Sequence, residues 1–379
     1  MPHEFILKNA RIVLENEVLT GSVLVRDGQI ADISEGAMTA GEDLEGDFLT
    51  PGLIELHTDH LEGHYAPRPK VRWNPLAAVQ AHDAQIAASG ITTVFDALRV
   101  GLDGETEVGV EDMAVLADAI SDGMKNNRLR AEHFLHLRCE VSAPDCLEAF
   151  SAMQGYDRVR MASLMDHAPG QRQFADAESY RVYYMRKLKA SEEEFRRYCE
   201  RRMADSERYS AVNRRTISEA CRARGIVLAS HDDATAAHVE EAVSQGIRVA
   251  EFPTTLAAAA ASKEAGLSVL MGAPNVVRGG SHSGNVSARE LAEKGCLDIL
   301  SSDYIPFSLM QSAFFLSDVV EGITLPQAMR LVSKNSAEAV GLDDRGEIAV
   351  GKRADLVRVR VDDHVPVIRT VWRQGERVI

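Results

Sequence analysis

No stretch of this chain approaches the roughly 18 apolar residues that a bilayer span requires, so no helical membrane anchor is expected. The start, Met1-Pro2-His3-Glu4-Phe5, lacks the basic residues and long apolar core of a signal peptide. Cysteine is sparse and unpatterned. Cys139, Cys146, Cys199, Cys221 and Cys296 form no CxxC pair, and an odd, dispersed set fits reduced thiols and a cytoplasmic protein rather than a disulfide framework. Positive charge is also short: a net charge of −15 argues against a nucleic-acid or anionic-membrane partner. An anionic small molecule stays open, because metal ions and a few local cations outweigh a distant, screened surface. There are no internal repeats and no low-complexity tract.

What is present is a chain of 379 residues, 45% hydrophobic and 26% charged, enough for one large catalytic domain and a smaller appended one. Both ends alternate like strands, as in Arg11-Ile12-Val13-Leu14 and in Val357, Val359 and Val361 with Arg358 and Arg360 between them. The middle alternates strands with helices. Eight apolar strands are predicted, over 53–59, 92–98, 134–141, 159–167, 226–232, 249–255, 269–275 and 297–304. Helices are predicted between most of them; the one over 75–89 has Asn74 as N-cap and Pro75 at its first position. The economical arrangement is an α/β fold: a distorted, TIM-like (β/α)8 barrel over 51–344 with a small β-sandwich domain built from both termini, 1–50 and 345–379. The stretch 169–213, dense in Arg, Glu, Tyr and Lys, reads as a helical insertion, either a lid or an oligomer contact.

The richest stretch is Pro51-Gly52-Leu53-Ile54-Glu55-Leu56-His57-Thr58-Asp59-His60, where an apolar strand ends in imidazoles and a carboxylate. Residues two apart on a strand share a face, so His57 and Asp59 are expected to point the same way and His60 the other. On the third strand the same alternation groups His136, Arg138 and Glu140, and turns Cys139 away as a packing residue. The fourth strand ends in Asp166-His167, the fifth in His231-Asp232-Asp233 and the eighth in Ser302-Asp303. Barrel active sites lie at these strand ends. Histidine and carboxylate ligands suit Zn²⁺, Fe²⁺ or Mn²⁺, so His57, Asp59, Glu140, His167, His231 and Asp303 form the expected metal set. Glu140 is the candidate bridge between two ions, and Asp303 the candidate to take a proton from water and return it to the leaving group. Asp232 and Asp233 are left between orienting His231 and capping the next helix.

The plan of ends plus barrel, with the His of strand one, the His of strand five and the Asp of the last strand, is similar to the amidohydrolase superfamily of metal-dependent hydrolases. Longer motifs narrow the resemblance. His57-Thr58-Asp59, Pro67-Arg68-Pro69-Lys70, Ser163-Leu164-Met165-Asp166-His167, Glu251-Phe252-Pro253-Thr254-Thr255 and the run from Met271-Gly272-Ala273-Pro274-Asn275 to Gly284-Asn285 resemble one family. That family is the α-D-ribose 1-methylphosphonate 5-triphosphate diphosphatases of the carbon–phosphorus lyase pathway. The resemblance implies water attack at the α-phosphorus of a ribose triphosphate phosphonate and release of pyrophosphate. It also implies one or two divalent ions, zinc first, with iron or manganese next. His57-Thr58-Asp59 departs from the His-x-His usual in the superfamily, placing a harder oxygen donor second, and no lysine suited to carbamylation stands out.

A triphosphate calls for cations and backbone N–H donors. Arg68 and Lys70 follow the first strand, stiffened by Pro67 and Pro69. After the seventh strand come Arg278, Gly279, Gly280, Ser281, His282, Ser283 and Asn285, where glycines permit close backbone approach to phosphate. His282 is a candidate either to protonate the departing pyrophosphate or to bind it. Arg172 offers a planar cation, or else an anchor for the helical insertion. The competing enzyme reading is hydrolysis of a cyclic amide or N-acyl amino acid, since the same activated water serves both. A non-catalytic scaffold is disfavoured by the retained His57, His167, His231 and Asp303. A homo-oligomer is compatible with all of these readings.

Overall fold

The computed structural model describes residues 4–101, 108–172, 180–181, 184–185, 191–280 and 284–379. Five strands open the chain: β1 (Glu4–Val13), β2 (Val18–Arg26), β3 (Gln29–Glu35), β4 (Glu42–Asp43) and β5 (Phe48–Pro51). Three close it: β14 (Leu356–Asp362), β15 (Val365–Arg373) and β16 (Glu376–Arg377). They join in one sheet of order β16-β15-β14-β5-β1-β2-β3, with β4 beside β1. Its apolar face holds its own core, including Leu7, Ile12, Val23, Leu49, Leu356 and Trp372. On β14 the alternating valines take the opposite face, where Val357 and Val359 pack with barrel-side residues such as Leu309 and Phe314, while Arg358 and Arg360 point the other way to acidic partners.

Between the two ends lies a barrel of eight parallel strands: β6 (Leu53–Thr58), β7 (Ile91–Val100), β8 (Glu132–Glu140), β9 (Val159–Met165), β10 (Val227–His231), β11 (Val249–Glu251), β12 (Ser268–Gly272) and β13 (Ile299–Ser301). Strands covered on both faces need near-continuous apolar runs, and every residue of β6 is buried. One or two side chains from each strand fill the interior: Ile54, Leu56, Phe95, Phe134, Met161, Ala229, Val249, Leu270 and Ile299. The barrel is distorted where it closes. Leu331 and Val332 wedge between β6 and β13, accepting from the N–H of Leu300 (2.8 Å) and of Ile54 (3.0 Å). Higher up, Thr58 of β6 bridges Asp303, just past the end of β13.

The helix after this seam opens as the sequence predicts, with Asn74 Oδ1 accepting from the N–H of Ala77 at 3.0 Å and Pro75 at the first position. The longest described helix, Glu192–Arg224, begins with a capping box between Ser191 and Glu194 and ends at Gly225 in the left-handed conformation. It extends past residue 213 and packs alongside the helix Cys146–Met153 and β10. No described helix is long and apolar enough to cross a membrane.

Candidate metal centre and active site

A bulge in β6 sets the site. Glu55 pairs with Val94 and Thr58 with Asp96, so three residue steps on β6 oppose two on β7. The extra residue breaks simple alternation and turns His57 into the barrel, as bulges beside active sites commonly do. The buried Glu55 carboxylate holds the bulge, accepting from the N–H of His57 (2.7 Å) and of Ser302 (2.5 Å). Burial pushes its carboxyl up to about 7 against those hydrogen bonds.

Among the described residues, two groups of ligand-type side chains converge at the mouth. The first is His167, His231 and Asp232. His167 Nε2 and His231 Nε2 lie 3.7 and 3.5 Å from Asp232 Oδ2. The remaining ring nitrogens are backed by carboxylates, His167 Nδ1 by Glu140 Oε2 at 2.7 Å and His231 Nδ1 by Glu251 Oε2 at 3.2 Å. Asp232 Oδ2 is buried and has no hydrogen-bond partner. Two oriented imidazoles facing one orphaned buried carboxylate oxygen are a donor set that fits a divalent first-row cation. Burial disfavours charge on His167, yet Glu140 and Asp232 outweigh it and raise the imidazole to about 10.

The second group is His57, His136 and Glu251. Glu251 Oε1 lies 3.1 Å from His57 Nδ1 and 3.9 Å from His136 Nε2, so this one carboxylate links both groups. Although burial opposes its charge, the surrounding histidines hold Glu251 well below the usual carboxylate range. Both nitrogens of His136 are already engaged, Nδ1 with the Leu56 carbonyl and Nε2 with Ser163 Oγ, each at 2.9 Å. Burial depresses its pKa to about 3.

The predicted residues fall into place unevenly. His57, His167, His231 and Asp303 all lie at the mouth. Glu140 stands behind His167: its carboxylate also takes Arg202 (3.0 Å), the N–H of His167 (3.1 Å) and Ser142. Asp59 turns toward Arg138, 3.0 Å from its Nη1. Asp303, at φ 56° and bonded through its N–H to the His57 carbonyl (3.2 Å), caps the seam. Burial and then the Asp59 carboxylate, with help from Glu55 and Asp232 and against Arg138, push its carboxyl up to about 7.

Of the expected anion contacts, Arg68 and Lys70 are exposed in the segment after β6. Arg278 and Gly279 are exposed at the end of the helix Ala273–Arg278, followed by a half-buried Gly280, and Asn285 is half-buried. Ser281, His282 and Ser283 lie outside the described residues. Arg172 is buried in ion pairs with Asp233 and Glu241, which is the anchoring alternative and leaves it turned from the mouth. Glu55 and Glu251 carry no role in the sequence reading, Arg138 is only grouped there with His136 and Glu140, and Asp232 is left as an orienting partner of His231 or a helix cap rather than a ligand. Glu55 and Glu251 are single charges in apolar strand runs, which was the available signal; the bulge that makes sense of Glu55 left none. Arg138 is buried with its Nε unpartnered, a cation held at the mouth by Asp59.

The comparisons with known proteins agree with this geometry. The amidohydrolase family pattern matches residues 160–379. The α-D-ribose 1-methylphosphonate 5-triphosphate diphosphatase of Escherichia coli strain K12 is 50% identical over 377 residues, covering 98% of this chain and all of that protein. The adenine deaminase of Desulfatibacillum aliphaticivorans is 26% identical over all of this chain and 59% of its own length. Among solved structures, N-acetylglucosamine-6-phosphate deacetylase from Pasteurella multocida superposes with a TM-score of 0.62 at 14% identity, covering 99% of each chain, a likeness of fold. The expected superfamily resemblance is thereby borne out, and the chain belongs to the amidohydrolase family.

Proposed function

We propose that this protein hydrolyses α-D-ribose 1-methylphosphonate 5-triphosphate to α-D-ribose 1-methylphosphonate 5-phosphate and pyrophosphate. The observation that carries this reading is half-identity along essentially the whole chain to a diphosphatase of that name. The charged groups at the mouth support it. A divalent cation, zinc first among candidates, would be held by His167, His231 and Asp232 and would supply Lewis acidity toward water and phosphate oxygens. Glu140 and Glu251 fix the tautomers of the two histidines, so that Nε2 of each presents its lone pair. Asp303 would take the proton from the attacking water, with Asp59 and Asp232 raising its basicity. Arg138 sets a fixed positive charge at the mouth for the α- or β-phosphate, and Arg68, Lys70 and Arg278 extend that attraction outward.

The same reading assigns 1–50 and 345–379 to one domain and 51–344 to the other. The separate apolar cluster spanning Leu7 to Leu49 and Ile348 to Trp372 supports that division. It also assigns the protein to the cytoplasm, supported by five free thiols. The deciding experiment is a phosphorus NMR time course of metal-loaded protein with the triphosphate in ¹⁸O-labelled water. Pyrophosphate with the label on the sugar phosphate is expected. Orthophosphate alone would indicate γ-phosphate cleavage, and an untouched substrate with metal bound would point to amides.

A further inference from the structure

Outside the barrel, a second group of histidines has no part in the site above. His60 and His64 lie one helical turn apart on the helix His60–Tyr65, and His82 faces them from the helix Pro75–Ala88. Phe95 and Phe134 point into the barrel, so their neighbours Asp96 and His133 point out, beneath His82. We infer that His60, His64 and His82 form a binding site for a first-row divalent metal ion of the zinc class, distinct from the centre in the barrel mouth.

Three features carry this. First, one nitrogen from each ring lies within 4.8 Å of the other two, and His60 Nδ1 to His82 Nδ1 is 3.4 Å. Two nitrogens bound tetrahedrally at the usual zinc distance are about 3.3 Å apart. Second, the tautomer of His82 is set. Its Nε2–H donates to Asp96 Oδ1 at 2.8 Å, which leaves the Nδ1 lone pair aimed at His60 and His64. Asp96 is itself fixed, accepting from His133 Nδ1 at 2.7 Å. Third, His64 Nε2 is buried without a hydrogen-bond partner. The alternative trio of His82, Asp96 and His133 does not fit a metal, because His133 is clamped between Asp96 and Asp83 (3.2 Å) and has no nitrogen to offer.

His60 and His64 are half-buried, so an ion could enter from solvent and keep water as its fourth ligand. Such an ion would tie the helix following β6 to the helix Pro75–Ala88. The segment between them carries Arg68 and Lys70, and folds back through the Trp73 N–H to the Tyr65 carbonyl at 2.8 Å. The metal would thus close the base of that segment.

The test counts metal on the full chain and needs no substrate, so it stands apart from the proposed activity. Chelator-stripped protein is titrated with Co²⁺, reading bound equivalents by elemental analysis and ligation by visible absorption. The double variant His60→Gln with His64→Gln is expected to bind one equivalent fewer than the unaltered protein. The same difference is expected in a His167→Ala, His231→Ala background, where the barrel centre is crippled. There the remaining equivalent should show the intense absorption of low-coordinate cobalt. Zinc affinity at this site should fall by more than about 100-fold, since even outer partners of ligands are worth 10–100-fold. Equal equivalents with and without His60 and His64 in either background would overturn the proposal. Should the double variant fail to fold, the barrel-crippled protein decides alone: one histidine-ligated cobalt supports the site, and none rejects it.

Discussion

Replacing Glu140 by glutamine separates two pictures of the metal centre. The strand pattern makes Glu140 a bridging ligand, whereas the structure puts it behind His167, its oxygens shared among His167 Nδ1 (2.7 Å), Arg202 (3.0 Å), the His167 N–H (3.1 Å) and Ser142. Glutamine keeps the shape, removes the charge and offers one acceptor oxygen instead of two. For a group that only orients a ligand, the expected loss of zinc affinity is about 10–100-fold, or about 1.4–2.7 kcal/mol. Loss of a direct ligand would go well beyond that and abolish a metal equivalent. The substitution also strips Arg202 and His167 of their shared counter-charge, and breaking a buried pair from one side costs about 3–5 kcal/mol of stability. The pH dependence of the metal-free protein supplies a further check. Glu140 is held well below its ordinary 4.5 despite burial, chiefly by His167, so its stabilisation is present above that value and fades on acidification. His167 is raised from 6.5 to about 10, so its stabilisation is complete below 6.5 and fades as pH climbs through about 10. The pair therefore contributes most between those ordinary values of 4.5 and 6.5, and Glu140→Gln should flatten the curve on both sides. Urea unfolding of metal-free protein at about pH 5.5, 7.5 and 9.5 reads the second effect, and competition with a chromogenic chelator reads the first. A zinc affinity within about threefold of the unaltered protein would refute the orienting role; loss of a whole equivalent would restore Glu140 as a ligand.

Asp303→Asn should lower kcat by about 10²–10⁴ with metal content kept, because it removes the proton acceptor but not His167, His231 or Asp232; an unchanged rate of pyrophosphate release would sink that role. Arg138→Ala should reduce kcat/KM for the triphosphate by about 10–150-fold, the worth of one charge-assisted hydrogen bond, while uncharged amide substrates, if any are turned over, lose far less. Equal losses for both would reject Arg138 as a phosphate contact. His133 sits between Asp96 and Asp83, which overcome the cost of burial and raise it from 6.5 to about 9. Its contribution, on the order of 3 kcal/mol, is complete below pH 6.5 and lost as pH rises through about 9. His133→Gln should remove that alkaline slope in urea unfolding, and a slope that persists would assign it elsewhere.

The barrel strands were legible because each is an apolar run bounded by turn or helix signals, and all eight predicted segments overlap β6 to β13. The terminal sheet was legible from its alternating valines. The site was legible as a set of strand-end residues but not as a wiring diagram. Strict alternation placed His136, Arg138 and Glu140 together inside the barrel, because β8 is regular over that stretch. On β6 the bulge decides which way His57 faces, and nothing in Leu56-His57-Thr58 announces an extra residue. Likewise, whether a carboxylate coordinates a cation or orients an imidazole depends on which partners its oxygens meet. For Glu140 one of those partners, Arg202, comes from 62 residues further along the chain.

Glu251 shows why these placements act together. Its Oε1 meets His57 and its Oε2 meets His231, while Asp232, next in the chain to His231, donates its N–H to the Glu251 carbonyl at 2.9 Å. One residue of a three-residue strand thus fixes the first strand's imidazole, the fifth strand's imidazole and the backbone of the orphaned aspartate. A charge buried so completely survives only because three histidines surround it, and the rings of His57 and His231 are oriented in return. Removing that charge loosens both ligand groups at once. The two halves of the mouth are therefore one electrostatic unit, whose geometry is set before any cation or phosphate arrives.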